Sequence, residues 1–557
     1  MSDSDEAFKA LLSAANDARN ARDFATAGML YDRVLRLRPD DPDVIYNYGH
    51  HLVECGEGER ACLMLNTALG ANPGNFQIAA ALGAALRATG RYAFAETLWR
   101  SLTTVMPDQP QPYYELGQAL LGLARPEEAV EALRAALRYS AGVAERDLCW
   151  KAYLLAMAYA DGIDPAVTRD ENARRAAELG PAEPRDPLFA NSREPERRLR
   201  VGYVTSDLYS HSAARTIETL FMYRNRDRFE VIAYAEDRRR DSVTQHFRSL
   251  VDGWVSTVGL DDAAAAARVR ADRVDVLVVA ASHFDDNRLG IALHRAAPVQ
   301  LSIYDTATSG STAFDGIVVD PVMVPRKAAW TVERPLRTPH MWTHPPLELA
   351  PPFGAPPARA NGYVTFGSAN HPSKFSRRTF ELWAAALRAV PNSRLRLKSG
   401  RRYDDPETRE AIARRFGEFG VDVARLDFHR GDREMRAHLE FYNRIDVALD
   451  TTPFNGATTT FESLWMGVPV VTLLGDSLAA RWAAVVLIRI GRPDWVASDE
   501  AGYAALARRL AAQAPAQDRP GLRADLAESS ICDGPGHARD YERLYRALWR
   551  RWCRRTA

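Results

Sequence analysis

A spacing of 34 residues runs through the opening part of this chain. Pro39, Pro73 and Pro107 keep it, as do Gly49, Gly83 and Gly117, and Ala27, Ala61, Ala95 and Ala129. Three positions held in one register point to a folded unit that is copied and stacked. Proline cannot continue a helix, so it ends the second helix of each unit. Gly and Ala sit where the two helices of a pair approach closely. Large residues fill the remaining space, Leu52, Leu86 and Leu120 on the first helices and Tyr31, Leu65, Trp99 and Leu133 on the second. Each helix pair then buries its apolar face against its neighbours, and the stack leaves a concave groove.

That period is the tetratricopeptide repeat (TPR), and about four copies are expected over 1–143, at 8–41, 42–75, 76–109 and 110–143. A helical linker over 144–190 adds one more pair, 146–159 and 165–179, and the Pro-rich run 180–187 breaks it. The groove is expected to bind a peptide; the other reading is a scaffold that only holds the array against the next domain.

The pattern then changes to strands alternating with helices. Strands are expected at 199–205, 230–235, 274–280, 299–304 and 316–319, with helices such as 213–223 and 261–271 between them. This predicts a parallel, doubly wound α/β lobe over 191–347. Eight prolines fall between Pro335 and Gly362, so this stretch, and 348–362 above all, is expected to be a linker. A second α/β lobe over 363–530 has strands at 363–366, 394–398, 425–428, 446–449 and 468–473, and its clearest helix at 377–389. Residues 531–557 end in a basic amphipathic helix with Leu544, Leu548, Trp549 and Trp552 at helical spacing. It either closes the lobes or binds a membrane or nucleic acid.

The stretch Asp450–Thr472 carries the densest chemistry. A polar turn containing Gly456 leads into a short helix that stops at Gly467. Thr459 and Glu462 have capping-box spacing, which predicts a helix start near Thr460. Thr458, Thr459 and Thr460 would then meet free backbone N–H groups, a site suited to a phosphate. The plainer reading is a βαβ unit whose threonines only cap a helix. Two doubly wound lobes place a ligand at the carboxyl ends of their strands. His211, His283, His371 and Lys374 all follow expected strands, as the Thr turn does. Taken singly, each histidine is as readily a hydrogen-bonded structural residue, and Lys374 a solvated charge.

The totals narrow the partners. Lys+Arg and Asp+Glu are both 72, so bulk charge points to neither nucleic acid nor an anionic membrane. The acidic N-terminus lacks a signal peptide's apolar core, and the strongest apolar run, 274–281, is too short to span a bilayer. Five cysteines without a Cys-x-x-Cys suggest reduced thiols and a cytoplasmic protein. No Asp-x-Asp occurs after residue 190, and Pro339 and Pro345 flank His340 and His344, so no metal site is expected.

With these residues in view, the chain resembles the O-GlcNAc transferase and SPINDLY family of protein O-glycosyltransferases, from the repeats to the C-terminal tail. The specific pieces are Val201-Gly-Tyr-Val-Thr-Ser-Asp207 with His211, Arg295-Ala-Ala-Pro-Val-Gln300, and Val364-Thr-Phe-Gly-Ser-Ala-Asn370 with Lys374. Val390-Pro-Asn-Ser-Arg394, Glu462-Ser-Leu-Trp-Met-Gly-Val-Pro469 and Cys532-Asp-Gly-Pro535 complete them. The second-lobe motifs look closer to the SPINDLY branch.

The resemblance implies a TPR superhelix followed by a two-lobed GT-B fold. It also implies metal-independent transfer of a sugar from a nucleotide donor to Ser or Thr, with inversion. It implies a role for Lys374 at the donor diphosphate, for His211 as the base, for His438 at the nucleobase, and for Thr458 and Thr459 at the diphosphate. His371 stands where the O-GlcNAc branch has a donor-contacting Gln. Gly456, Thr460 and Glu462 join the expected donor site, and His283 and Tyr304 the expected acceptor or sugar contacts. Ser302-Ile-Tyr-Asp-Thr306 replaces the family's Trp-x-Gly-Tyr-Pro, and Ala457 and Glu462 stand where the O-GlcNAc branch has His and Asp.

The leading expectation is a protein O-glycosyltransferase whose repeats recruit the acceptor. It would need no cofactor beyond a nucleotide-sugar co-substrate, UDP-GlcNAc or another NDP- or CMP-sugar. The alternatives are a TPR scaffold with a silent transferase domain, a transferase acting on a small glycan, and a flagellin glycosyltransferase using a CMP-nonulosonic acid. A homodimer through the TPRs is a further expectation.

Overall fold

The computed structural model describes residues 3–181, 189–432 and 434–555. Most of the break expected over 180–187 lies outside them. Among the described residues ten helices open the chain in five antiparallel pairs: Asp3–Asn20 with Phe24–Leu37, Pro42–Glu54 with Gly58–Ala71, Phe76–Thr89 with Tyr92–Val105, Pro110–Gly122 with Pro126–Tyr139, and Val143–Tyr159 with Pro165–Leu179. The repeat positions meet as their spacing requires. A Cβ on Gly49 would lie 2.8 Å from Leu65, one on Gly83 2.2 Å from Trp99, and one on Gly117 2.5 Å from Leu133. Each repeat glycine thus makes room for the large residue sixteen positions later. Burying a side chain of that size contributes about 1.5–3 kcal/mol.

The array is fastened to both lobes that follow. The Thr408 hydroxyl donates to the Gly90 carbonyl at 2.9 Å and accepts the Tyr92 N–H at 3.1 Å. Glu127 accepts the Arg377 N–H at 3.0 Å. On the other side, Arg175 donates to the His283 carbonyl at 3.0 Å. Gly310, at φ +76°, passes so close to the Asn172 backbone that a Cβ would come within 2.3 Å of it.

The first lobe is a seven-stranded sheet in which every pairing is parallel. Its strands are β1 (Leu199–Thr205), β2 (Phe229–Ala235), β3 (Gly253–Ser256), β4 (Val276–Ala280), β5 (Val299–Ile303), β6 (Gly316–Val319) and β7 (Pro335–Arg337), in the order 3-2-1-4-5-6-7. The second lobe has β8 (Thr365–Ser368), β9 (Arg394–Ser399), β10 (Leu426–Arg430), β11 (Val447–Leu449), β12 (Val470–Leu473) and β13 (Val496–Ala497), in the order 10-9-8-11-12-13. In both sheets the order in which strands are added reverses beside the first strand, at β1/β4 and at β8/β11. These are the switch points where open α/β sheets bind ligands. The fold is that of a GT-B glycosyltransferase behind a helical repeat array.

Three strands escaped the sequence reading. β3 is half-exposed at one edge of its sheet, and β13 is two residues long, so neither has a long apolar run. β7 lies inside the stretch expected to be a linker. Its proline occupies an edge strand, where the missing N–H costs no sheet bond, and Met341, Trp342 and Leu347 beyond it are buried core. The C-terminal helix Gly534–Arg554 starts earlier than its apolar stripe suggests, with the Asp533 side chain accepting the Gly536 N–H. Its buried face crosses back onto the first lobe, where Tyr545 and Tyr203 share a hydroxyl contact of 2.8 Å and Tyr541 donates to the Met341 carbonyl at 2.9 Å.

Candidate active site

The two switch points face one cleft of about 810 Å³. Its walls come from three sources. The helical array supplies Tyr114, Lys151 and Tyr159, the first lobe His211, Asp285 and Tyr304, and the second lobe His371, Lys374, His438, Thr458, Thr459 and Glu462.

Asp450, directly after β11, organises the second-lobe wall. Its carboxylate accepts the Gly456 N–H at 2.8 Å, the Thr472 hydroxyl at 2.7 Å and the Asn370 amide at 3.3 Å. Burial lifts its carboxyl to about 6, against the pull of the Gly456 N–H, the Thr472 hydroxyl, the Thr451 N–H and Lys374. Gly456 admits no side chain, since a Cβ would meet the Thr459 hydroxyl at 2.1 Å. The helix Thr458–Trp465 begins earlier than expected, after Ala457, and no side chain caps it. Its first backbone N–H groups therefore have no intrahelical partner.

The three threonines differ. Thr459 donates to Asn370 Oδ1 at 3.0 Å beside the cleft. Thr458 lines the cleft. Thr460 is buried, and its hydroxyl donates back to the Gly456 carbonyl at 2.7 Å. Thr460 is thus removed from the ligand surface, and a helix starting two residues earlier is the reason. Glu462 does not close a capping box either. It accepts from Tyr442 at 3.1 Å and pairs with His438 Nε2 at 3.0 Å. Burial pushes its carboxyl up, but the His438 bond and charge more than offset this and leave it below the ordinary range.

Lys374 follows β8 on a short 3-10 turn, Pro372–Lys374. Its Nζ lies 4.4 Å from the centre of the Phe454 ring and 3.5 Å from the Asn455 carbonyl. Enclosure by the cleft walls lowers its ammonium to about 8, with Asp450 opposing. His371 opens onto the cleft. The walls, then Arg402 and Lys374, hold its imidazole well below the usual range. Lys398, at the end of β9, is buried with Nζ 3.0 Å from His438 Nδ1. An ammonium only donates, so His438 Nδ1 accepts and Nε2 carries the proton given to Glu462. Lys398 too is lowered to about 8 by burial.

Across the cleft, His211 sits between two carboxylates. Its Nδ1 is 3.8 Å from Asp207 and its Nε2 3.8 Å from Asp285. Asp207 is held by Ser206 at 2.8 Å and Asn287 at 3.2 Å. Among the described residues these three form a group whose potential ligand atoms lie within 4.8 Å of one another. His340 and His344 do not combine into such a group: His340 pairs with Asp540 at 2.8 Å, while His344 stacks on Phe461 at 4.0 Å.

One expected contact is corrected. His283 is fully buried away from the cleft, with Nε2 2.8 Å from the Ser309 carbonyl, and burial drives its imidazole down to about 3. It is a neutral structural residue that ties the loop after β4 to the loop after β5. Tyr304 does line the cleft, but its hydroxyl is taken by His537 Nε2 at 3.2 Å. The sequence reading passed over Asn370, Asp450, Lys398 and Asp285. Asn370 and Asp450 stand at the ends of quoted motifs, immediately after strands, and that position was the available signal. Lys398 lies within a strand, where the rule of loops after strands does not look.

With this geometry in place, the comparisons with known proteins are decisive for the family. Residues 186–336 and 358–528, more than half of the chain, match glycosyl transferase family 41. The chain belongs to that family. Residues 18–86 match a tetratricopeptide repeat. Over 372 residues the chain is 33% identical to a protein of Petunia hybrida called "Probable UDP-N-acetylglucosamine--peptide N-acetylglucosaminyltransferase SPINDLY", covering 65% of this chain and 40% of that one. A Caenorhabditis elegans "UDP-N-acetylglucosamine--peptide N-acetylglucosaminyltransferase" is 30% identical over 191 residues, 34% of this chain and 16% of that one. This family 41 chain thus spans about two fifths of the length of the SPINDLY relatives it matches. A solved mutant of Thermobaculum terrenum O-GlcNAc transferase superposes with a TM-score of 0.81 at 28% identity, covering 99% of both chains. Among the described residues no helix is long and apolar enough to cross a membrane.

Proposed function

We propose that this protein transfers a sugar from a nucleotide-sugar donor to a Ser or Thr hydroxyl of a protein acceptor engaged by the helical array. One observation carries the reading. A single cleft joins an anion-binding wall (Lys374 and the uncapped helix at Thr458), a facing wall with His211, and side chains of the array itself.

The chemistry follows from these walls. The acceptor oxygen attacks the anomeric carbon from the side opposite the leaving diphosphate, which inverts that carbon. As the glycosidic C–O bond breaks, its electron pair moves onto the diphosphate. The Lys374 ammonium and the N–H groups at Thr458 and Thr459 are aimed where that charge grows, the arrangement that stabilises a transition state most. The acceptor proton passes to the His211 side, where Asp207 and Asp285 flank the imidazole. His438, fixed by Lys398 and Glu462, forms a rigid platform suited to the base of the nucleotide. The transfer needs no metal in this proposal, since a cation and a helix terminus occupy the place a metal would take.

The test is a screen of UDP-, GDP- and CMP-sugars by thermal shift, followed by transfer to a candidate protein acceptor. Stabilisation by one class, lost in Lys374→Met, supports the reading. A wild-type protein that no nucleotide or nucleotide-sugar stabilises would refute it.

A further inference from the structure

Lys374 is held in an unusual way for a buried-walled cation. Among the described residues no carboxylate forms an ion pair with it, and Asp450 acts on it only from a distance. Its one hydrogen bond among the described residues, to the Asn455 carbonyl, is long at 3.5 Å. The close contact is the face of Phe454, with Nζ 4.4 Å from the ring centre. That ring does not stand alone. Tyr159, the last residue of the helix Val143–Tyr159, meets it edge-on with centroids 5.1 Å apart and planes at 68°. All three side chains line the same cleft.

An aromatic face attracts an ammonium through its quadrupole but does not neutralise it. A carboxylate in the same place would hold Lys374 equally still and would cancel the charge an anionic ligand needs. An edge-on neighbour then limits how far the Phe454 ring can tilt. The order of contacts therefore runs from the array to a second-lobe ring to the cation.

We propose that Phe454 is the positioning residue for the Lys374 ammonium, and that Tyr159 of the helical array acts on Lys374 through it. This rests on Lys374 being the diphosphate contact. It makes the array a part of the catalytic geometry as well as a recruiting surface.

The test uses the full chain. It has five lysines, Lys9, Lys151, Lys327, Lys374 and Lys398, so a spectrum of protein labelled with carbon-13 at lysine Cε is simple, and Lys374→Met identifies the signal. The Lys374 ε protons are expected upfield in wild type from the ring current. The shift is expected to vanish in Phe454→Leu, to persist in Phe454→Tyr, to shrink in Tyr159→Ala and to persist in Tyr159→Phe. Tyr159→Ala added to Phe454→Leu is expected to change nothing further. Pyrophosphate is expected to bind about threefold to fivefold more weakly to Phe454→Leu, the range for one cation–ring contact.

An unchanged Lys374 signal in a folded Phe454→Leu protein overturns the proposal. So does a Tyr159→Ala effect that is equally large without the ring. Should Phe454→Leu fail to fold, Tyr159→Ala alone decides, because an unmoved Lys374 signal there removes the link to the array. If pyrophosphate moves no Lys374 signal in wild type, the diphosphate reading falls, while the ring-current comparison still decides the positioning.

Discussion

The Asp450 carboxylate holds the Gly456 N–H at 2.8 Å and, with the Thr451 hydroxyl on the Phe454 carbonyl and the Asn455 amide on the Thr451 carbonyl, both at 2.7 Å, folds the turn that presents the helix Thr458–Trp465 to the cleft. Asp450 closes β11 and Gly456 opens the helix approach, so the bond ties strand end to helix start across six residues. It also places the Gly456 Cα against Thr459. A methyl group on Gly456 would lie 2.1 Å from the Thr459 hydroxyl. Gly456→Ala is therefore expected to push that hydroxyl off Asn370 or to open the turn. The stability loss should be about 1–3 kcal/mol, as for an overpacked site. Pyrophosphate binding by calorimetry should weaken clearly while circular dichroism stays unchanged. Unchanged affinity would separate the turn from the anion site.

Lys374 should matter more in the transition state than in the ground state, because charge on the leaving diphosphate grows as the bond breaks. Lys374→Met keeps most of the aliphatic stem and removes the charge. With the donor returned by the nucleotide-sugar screen, single-turnover transfer should fall by about 10²–10³, with a smaller change in KM. A folded variant within about threefold of wild type, roughly 0.6 kcal/mol, would sink the assignment.

The same lysine sets a pH limit. The cleft lowers its ammonium to about 8. The charged form predominates below that value and is lost as pH rises through it. Activity should therefore fall on the alkaline side with a midpoint near 8, and at one unit above only about a tenth of the ammonium remains. Acidification alone does not discharge Lys374, so any acid limb belongs to other groups. A kcat/KM profile flat from pH 7 to about 10 would show that Lys374 is not titrating where the cleft places it, or is not needed.

Much of this was legible in the sequence. The period of 34 fixed the repeat register because Gly49, Gly83 and Gly117 each oppose one large residue, and that steric pairing is local and strict. The central strands were legible because they are continuous apolar runs between turns. The edges were not: β3 is short and half-exposed, β13 is two residues long, and β7 begins at a proline. The site divided along the same line. Lys374, His211 and His371 stand in the connections after strands, where open α/β sheets place their ligands, and Thr459 stands in the first turn of the helix that follows β11. His283 stands in such a loop too, yet its ring turns inward to the Ser309 carbonyl; strand order alone does not give the direction of a side chain. The helix start moved because Asp450, distant from the expected Thr459–Glu462 box, holds the turn, while His438 and Tyr442 take Glu462 away.

Asp207, His211 and Asp285 bring potential ligand atoms within 4.8 Å of one another, so metal dependence needs a direct trial. Transfer is expected to survive excess EDTA, because the charge on the leaving group is met by Lys374 and the helix terminus on the other wall. Complete loss with EDTA, restored by magnesium or manganese, would assign that trio a bound cation and displace the mechanism proposed above.

The last prediction separates recruitment from catalysis by where the array touches the lobes. The contacts described with the second lobe begin at Gly90 and Tyr92, continue at Glu127 and end with Tyr159 on Phe454; those with the first lobe come from Asn172 and Arg175. Removing 1–143 would strip the second-lobe contacts at Gly90, Tyr92 and Glu127 and expose the seam at Thr408, so a loss of activity there would not isolate recruitment. Removing 1–72 takes away the helices Asp3–Asn20 through Gly58–Ala71 and leaves every one of those contacts in place. The new end exposes one face of the helix Phe76–Thr89, a cost borne by the remaining array. Pyrophosphate affinity of the shortened protein should therefore stay within about twofold of full length, below 0.5 kcal/mol. Modification of the protein acceptor should fall by about 10²-fold if tethering in the groove raises its effective concentration at the cleft. Transfer to a short acceptor peptide, too small to reach the first repeats, should be unaffected. A shortened protein that modifies the full acceptor as fast as the intact chain would leave the first two repeats without a part in recruitment.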